Sequence, residues 1–244
     1  MRRVQRRPIR SSRRMMGRVE RGALRDMAGL GPWCATIFVA NGMRLRYEFC
    51  STNDGRGGMI MPARLSPVAA PYDPLVAAQI ERLRPPGALP LSLFTTLAHN
   101  PRVLSRLFAG GLLDAGSVTV RQRELMILRT CAQAGADYEW GVHAALFAGV
   151  AGLNADQVAA TRRDNPLGPD WSEEDLLILD TADALYAQGD LTDGQWAALS
   201  AGFSAEQVVE LIALAGYYRT IALFCRTLRL PMEGFAGGMR EAAA

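Results

Sequence analysis

The chain has 244 residues, 49% of them apolar, and a formal charge of +3. That length and composition suit a soluble globule with one sizeable core and room for an extension. The charge is unevenly placed: residues 1 to 60 hold 13 Arg against 4 acids (+9), and residues 61 to 244 hold 14 Arg against 20 acids (−6). Every basic residue is Arg, which reads as a coding bias and gives no reason by itself to expect a nucleic-acid partner. The cysteines Cys34, Cys50, Cys131 and Cys225 form no C-x-x-C pair and no zinc spacing, so the expectation is a reducing, cytoplasmic setting with no metal.

The chain opens on MRRVQRRPIRSSRRMMGRVERG, Arg-rich and without apolar period, and the later GPWCATIFVA is too short for a signal segment. Three readings of residues 1 to 60 stand side by side: a basic arm, a disordered tail, or a start set too early, with translation beginning at Met59 or Met61. The last is preferred. The Pro-rich stretch 62 to 74 then becomes the entry strap of a helical domain spanning 61 to 240.

From Asp73 onward the sequence divides into helical blocks. Asp73-Pro74 starts LVAAQIERLR, which stops at Pro85-Pro86-Gly87; LSLFTTLAHN and PRVLSRLFAGGLL follow, parted at Asn100-Pro101. Thr119 is the expected cap of VRQRELMILRTCAQAGA, with Gln122 completing a capping box. Asp137 is expected to cap DYEWGVHAALFAG, Asn154 the next helix, Ser172 with Asp175 the run EEDLLILDTADALYAQG, and Thr192 and Ser204 the last two. Val208 to Leu230 is strongly apolar but interrupted by Glu210, Arg219, Arg226 and Arg229, so it predicts a buried helix and not a membrane span. Sustained alternation with β-branched residues occurs only in ATIFVANGMRLRYEF, ahead of the domain, and the fold class expected is all-α.

Two helices carry polar residues among apolar ones. At 100° per residue, Glu124 falls beside Val120, Ile127, Leu128 and Cys131, and so points into the core. Arg123 and Arg129 diverge from that direction, leaving Arg121, at the stripe's margin, as its candidate cation. On the following helix His143 groups with Glu139, Trp140, Leu146, Phe147 and Val150. Glu139 and His143 are four apart and share one face. A short turn at Gly135 to Asp137 can fold the two helices antiparallel and bring Glu124, Glu139 and His143 together. A buried carboxylate and histidine can exchange protons near neutrality, although such groups more often serve as satisfied structural contacts. A metal site is weaker still, because the Glu-x-x-His repetition of di-iron bundles is missing.

Residues 121 to 152, RQRELMILRTCAQAGADYEWGVHAALFAGVAG, resemble the core of the carboxymuconolactone decarboxylase and alkylhydroperoxidase-D-like (AhpD-like) superfamily, and the likeness extends at graded quality over 70 to 233. The peroxidase branch of that superfamily carries Glu, eleven residues, then Cys-x-x-Cys-x-x-x-His. Counting back from His143, the cysteine positions fall on Ala136 and Glu139, and the glutamate on Glu124, so both redox cysteines are absent. Thiolate chemistry on peroxide needs them.

The resemblance implies an AhpD-like multi-helix orthogonal bundle, assembled as a homo-oligomer, trimer or hexamer, with active sites near subunit contacts. It also implies a small-molecule substrate and no cofactor. The function expected is a cofactor-independent acid/base enzyme acting on a small carboxylated lactone or related ring-cleavage product. His143 would donate the proton or stabilise an enolate, Glu124 would orient it or relay the proton, Glu139 would tune its charge and Trp140 would wall the pocket. Tyr218 and Arg219 are candidate substrate contacts, Arg219 either for a substrate carboxylate or for a protein acid. The alternatives are an AhpD-like hydroperoxide reductase, opposed by the missing cysteines, and a non-enzymatic oligomeric protein that binds a small ligand.

Overall fold

Side-chain caps open most of the helices. The computed structural model describes residues 62–84, 87–166 and 168–236, and most of its helices follow the punctuation of the sequence closely. The basic segment 1 to 60, with Cys34, Cys50, the ATIFVANGMRLRYEF stretch and the two candidate starts, lies outside the described residues.

Helix α1 (Pro74–Leu83) starts at Asp73, whose carboxylate accepts from Leu75 N. Helix α2 (Ser92–Leu97) is short, and α3 (Pro101–Ala109) is capped by Asn100. Full capping boxes open α4 (Val120–Gln133) at Thr119/Gln122, α6 (Ala155–Ala160) at Asn154/Gln157 and α7 (Glu173–Gln188) at Ser172/Asp175. They also open α8 (Asp193–Gly202) at Thr192/Gln195 and α9 (Ala205–Leu228) at Ser204/Gln207. Each box satisfies two of the N–H groups that a helix start leaves without partners. Helix α5 (Asp137–Phe147) departs from expectation: its N-cap is Ala136, with no side-chain cap, and Asp137 is the first helical residue. There its charge still favours the positive end of the helix.

The reason lies in the α4–α5 turn. Gly135 takes φ +63°, Gly135 N donates to Ala132 O, and Ala136 N donates to Cys131 O at 2.9 Å. This paired closure ends α4 and delivers the chain directly into α5, so the turn's own hydrogen bonds replace the cap. A left-handed residue is required at 135, and glycine supplies it without steric cost.

Helix α4 forms the centre, packed by α5, α7 and α9. Every residue from Gln122 to Cys131 is buried, Arg123, Glu124 and Arg129 included. Such a helix has no solvent face, so a wheel sorts its residues by neighbour and not by exposure. Its side toward α7 is joined by a ladder of polar contacts. Arg121 Nη2 pairs with Asp175 at 2.8 Å, Gln122 Nε2 donates to Glu174 at 3.0 Å, and Gln133 Nε2 to Asp183 at 2.6 Å. The strap at 62–73 follows the outside, where Arg64 N donates to Leu228 O and Val68 N to Thr95 O.

Among the described residues there is no strand, and the all-α class stands. Helix α9 is long and apolar enough to cross a membrane by length and composition alone. Its inner face, Leu211, Leu214, Tyr218, Ile221 and Cys225, belongs to the core, and the core helix of a globular domain passes the same test.

Candidate active site

Glu124 points from α4 toward α5 with 0% of its surface exposed, and His143 faces it at 3%. Glu124 Oε2 lies 2.7 Å from His143 Nδ1. On the other ring nitrogen, His143 Nε2 is 3.5 Å from Glu139 Oε1, a looser contact from one turn earlier in α5. The first distance is that of a charge-assisted hydrogen bond, and the second is at the outer limit of one. The antiparallel turn at Gly135 therefore does unite the three residues that the sequence singled out.

The fourth member is Arg123. Its Nε donates to Glu124 Oε1 at 3.0 Å, so that the two oxygens of Glu124 hold one cation each. This corrects the wheel argument, which set Arg123 aside and offered Arg121; Arg121 pairs with Asp175 on α7 instead. Adjacent residues leave a helix about 100° apart, but the long arginine stem reaches around the backbone to its neighbour's carboxylate. Arg123 Nη1 also donates to Leu113 O at 2.9 Å, and its guanidinium lies 5.9 Å from the centre of the Phe147 ring. The loop before α4 is thereby tied to the same side chain that supports Glu124.

With His143 protonated, the cluster holds two cations and two carboxylates and is neutral as a whole. Burial pulls the imidazole's proton affinity down, but the hydrogen bonds to Glu124 and then Glu139 outweigh it, and its pKa is pushed up to about 9. At neutral pH the ring is an imidazolium and a proton donor. Its Nδ1 is engaged by Glu124; the Nε2–H, held loosely, is the one available to a reacting group. Both ring nitrogens face carboxylates, and among the described residues no group of three His, Cys, Asp or Glu could hold a metal ion.

Aromatic side chains shape the surroundings. The Tyr218 ring, from α9, meets the imidazole edge-on at 5.0 Å, and Phe147 lies at 5.1 Å. Burial and the Glu139 charge push the Tyr218 phenol up, which keeps it neutral. Cys225, on α9, sits with Sγ 3.9 Å from Glu139 Oε2. Sequence reasoning did not connect it to this site; its position one face-repeat (i+7) from Tyr218 on α9 was the available signal. Cys131, on α4, is the other buried thiol of this core. Burial and then Glu139 push both thiols well above their ordinary range, so both are neutral.

Two expected contacts lie elsewhere. Trp140 is buried, but its indole Nε1 donates to Thr161 Oγ1 at 3.0 Å and its ring lies under Arg162 at 4.7 Å. Arg219 Nη1 donates to Leu185 O and Tyr186 O, each at 3.3 Å, at the end of α7, and makes no hydrogen bond with Glu124 or Glu139. Val150, placed with His143 on the wheel, is 74% exposed, because α5 has ended at Phe147.

Residues 101–165 match the model of the carboxymuconolactone decarboxylase family, a span that contains Glu124, Glu139 and His143. The fold is similar to that of a peroxidase-related protein from Ralstonia eutropha, described as an alkylhydroperoxidase AhpD core. The identity is 20%, over 71% of this chain and 94% of that one, with a TM-score of 0.63. A peroxidase-related protein from a Silicibacter species is similar at 15% identity over 73% and 96%, TM-score 0.62. The debrominase Bmp8 follows at 16% over 73% and 95%, TM-score 0.58. No curated protein matches the sequence. At these identities the structural likeness shows the fold and not the activity. The family model thus matches the stretch that carries the Glu124–His143 pair, and the helical domain shares the fold of AhpD-like proteins. At the positions that correspond to the redox cysteine pair of the peroxidase pattern, this chain has Ala136 and Glu139.

Proposed function

We propose that the protein is a cofactor-independent acid/base enzyme that removes a carboxylate from a small unsaturated lactone or related ring-cleavage product, with His143 as the proton donor. One observation carries this reading: a fully enclosed imidazole, gripped at Nδ1 by Glu124 at 2.7 Å, keeps its Nε2 only loosely held. In such a decarboxylation the C–C bond to the carboxylate breaks, carbon dioxide leaves, and the electron pair flows into the lactone carbonyl as an enolate. The imidazolium stabilises that charge, then delivers its Nε2 proton to carbon, and solvent restores it. Glu124 is a positioning residue, holding the ring's orientation and its charge through Nδ1. Glu139 balances the imidazolium until substrate displaces its long contact. Thiol-based hydroperoxide reduction gains no support from Cys131 and Cys225, since neither is poised as a thiolate.

The test is an ultraviolet time course of 4-carboxymuconolactone with the full chain and a folded His143→Ala variant. The expected outcome is decay with the parent and a loss of about 10²–10⁴-fold in the variant. No decay with the parent, or equal decay with both, would overturn the reading for this substrate.

A further inference from the structure

A cavity of about 210 Å³ opens between α7 and α9. Its walls are Ala182, Leu185, Ile212 and Ala215, with Tyr186 and Arg219 beside them. None of the residues lining it belongs to the His143 cluster, and none is acidic. It therefore presents one formal positive charge against apolar walls.

Two features make Arg219 a built anchor. The guanidinium lies over the Tyr186 ring at 5.1 Å, and Nη1 is held by the carbonyls of Leu185 and Tyr186 at the negative end of α7. These contacts fix the side chain through one nitrogen, while no described residue accepts from Nε or Nη2. At the cavity's inner side, Thr130 is 3% exposed, and its hydroxyl spends its proton on the Met126 sulfur at 3.8 Å, a weak acceptor. A stronger acceptor entering the cavity would take that proton.

We infer that this cavity binds a small apolar monocarboxylate, aromatic or short-chain, at a site separate from the His143 cluster. The carboxylate pairs with the free edge of Arg219, the apolar body lies against Ile212 and the Tyr186 ring, and Thr130 offers a second hydrogen bond. The volume is below the roughly 300 Å³ at which drug-sized pockets begin, which limits the body to about one six-membered ring. The inference rests on this cavity alone and stands whether or not His143 is catalytic.

The probe is benzoate, titrated into the full chain by calorimetry, with benzyl alcohol as its neutral counterpart. Benzoate is expected to bind in the millimolar range or tighter, and benzyl alcohol about tenfold more weakly. Arg219→Met should cost about tenfold or more and Thr130→Val less, while His143→Asn leaves the affinity unchanged. Ile212→Trp, at a half-exposed rim position, fills the cavity without disturbing the core and should abolish binding; it serves as the second arm if Arg219→Met fails to fold. Absence of benzoate binding, or affinity untouched by both Arg219→Met and Ile212→Trp, overturns the inference. Affinity lost in His143→Asn but kept in Arg219→Met overturns it as well, because benzoate then occupies the proposed reaction site.

Discussion

Helix α4 carries two buried charge clusters, and they differ in how completely they are satisfied. Toward α7, Arg129 is 1% exposed and makes five hydrogen bonds: Nε and Nη2 to the two oxygens of Asp183, and the remainder to the carbonyls of Thr161, Arg163 and Asp164. Five donors meet five acceptors, and no donor is left to exchange. Toward α5, Glu124 is doubly held, but His143 is held firmly on one nitrogen and loosely on the other. Burial alone does not distinguish a staple from a site. The loose contact and the titratable ring do, because chemistry needs a bond that can be exchanged.

That contrast predicts the largest effect for the staple. Arg129→Met leaves three loop carbonyls without their donor and the Asp183 carboxylate with Gln133 Nε2 as its remaining one, and should lower stability by about 3–5 kcal/mol. Urea unfolding measures it. The His143 pKa should stay near its parental value, since the two clusters share no partner. A large shift in that pKa would show that the clusters act as one network and would dissolve the distinction.

The site's own strongest support is next. Glu124→Gln keeps the shape but removes the charge, leaving Arg123 and His143 without their shared anion. Burial, which opposes the charged ring, is then countered by Glu139 alone, and the His143 pKa should fall well below 9. Titration of the imidazole by NMR reads this directly. An imidazole that still titrates near 9 would assign the raised affinity to some other group.

The same raised pKa makes stability depend on pH, with a definite sign. A histidine whose folded pKa lies above its unfolded 6.5 contributes its full stabilisation below 6.5 and loses it as pH rises toward about 9. Over that window the parent should lose on the order of 3 kcal/mol, and Glu124→Gln clearly less. Above it, the buried thiols Cys131 and Cys225 add a loss of the same sign, because they ionise only on unfolding. Denaturation midpoints between pH 6.5 and 8.5 therefore isolate the histidine.

Much of the fold was legible because it is written in local chemistry. Thr119, Asn154, Ser172, Thr192 and Ser204 each announce a helix start through a side chain that reaches three residues along the chain. The pairing of Glu124 with His143 was legible too, since a short turn between two helices leaves few ways to pack them. What stayed hidden depends on reach and on distant neighbours. A wheel records the direction of Cβ and not the length of an arginine stem, so it dismissed Arg123. It treats a helix as having a wet side, which α4 lacks, and it cannot say which of several neighbours receives a side chain, so it grouped Trp140 with His143. Cys225 reaches Glu139 across 86 residues, a contact made by tertiary packing alone.

The smallest effects test whether the looseness at Nε2 is real. Glu139→Gln removes a carboxylate 3.5 Å from the ring, against 2.7 Å for Glu124, and should lower the His143 pKa by less than Glu124→Gln does. Its effect on turnover separates two roles. If Glu139 only balances charge, the rate falls modestly and its pH profile shifts downward together with the pKa. A rate lost to the same extent as in His143→Ala, with the pKa little changed, would make Glu139 a proton carrier in its own right. Cys225→Ala is the control on the same oxygen pair: it removes a weak S–H donor and little volume, and should cost about 1 kcal/mol or less in stability with no shift in the imidazole's titration. A shift comparable to that of Glu139→Gln would bring the thiol into the site's electrostatics and make the cluster one of five groups.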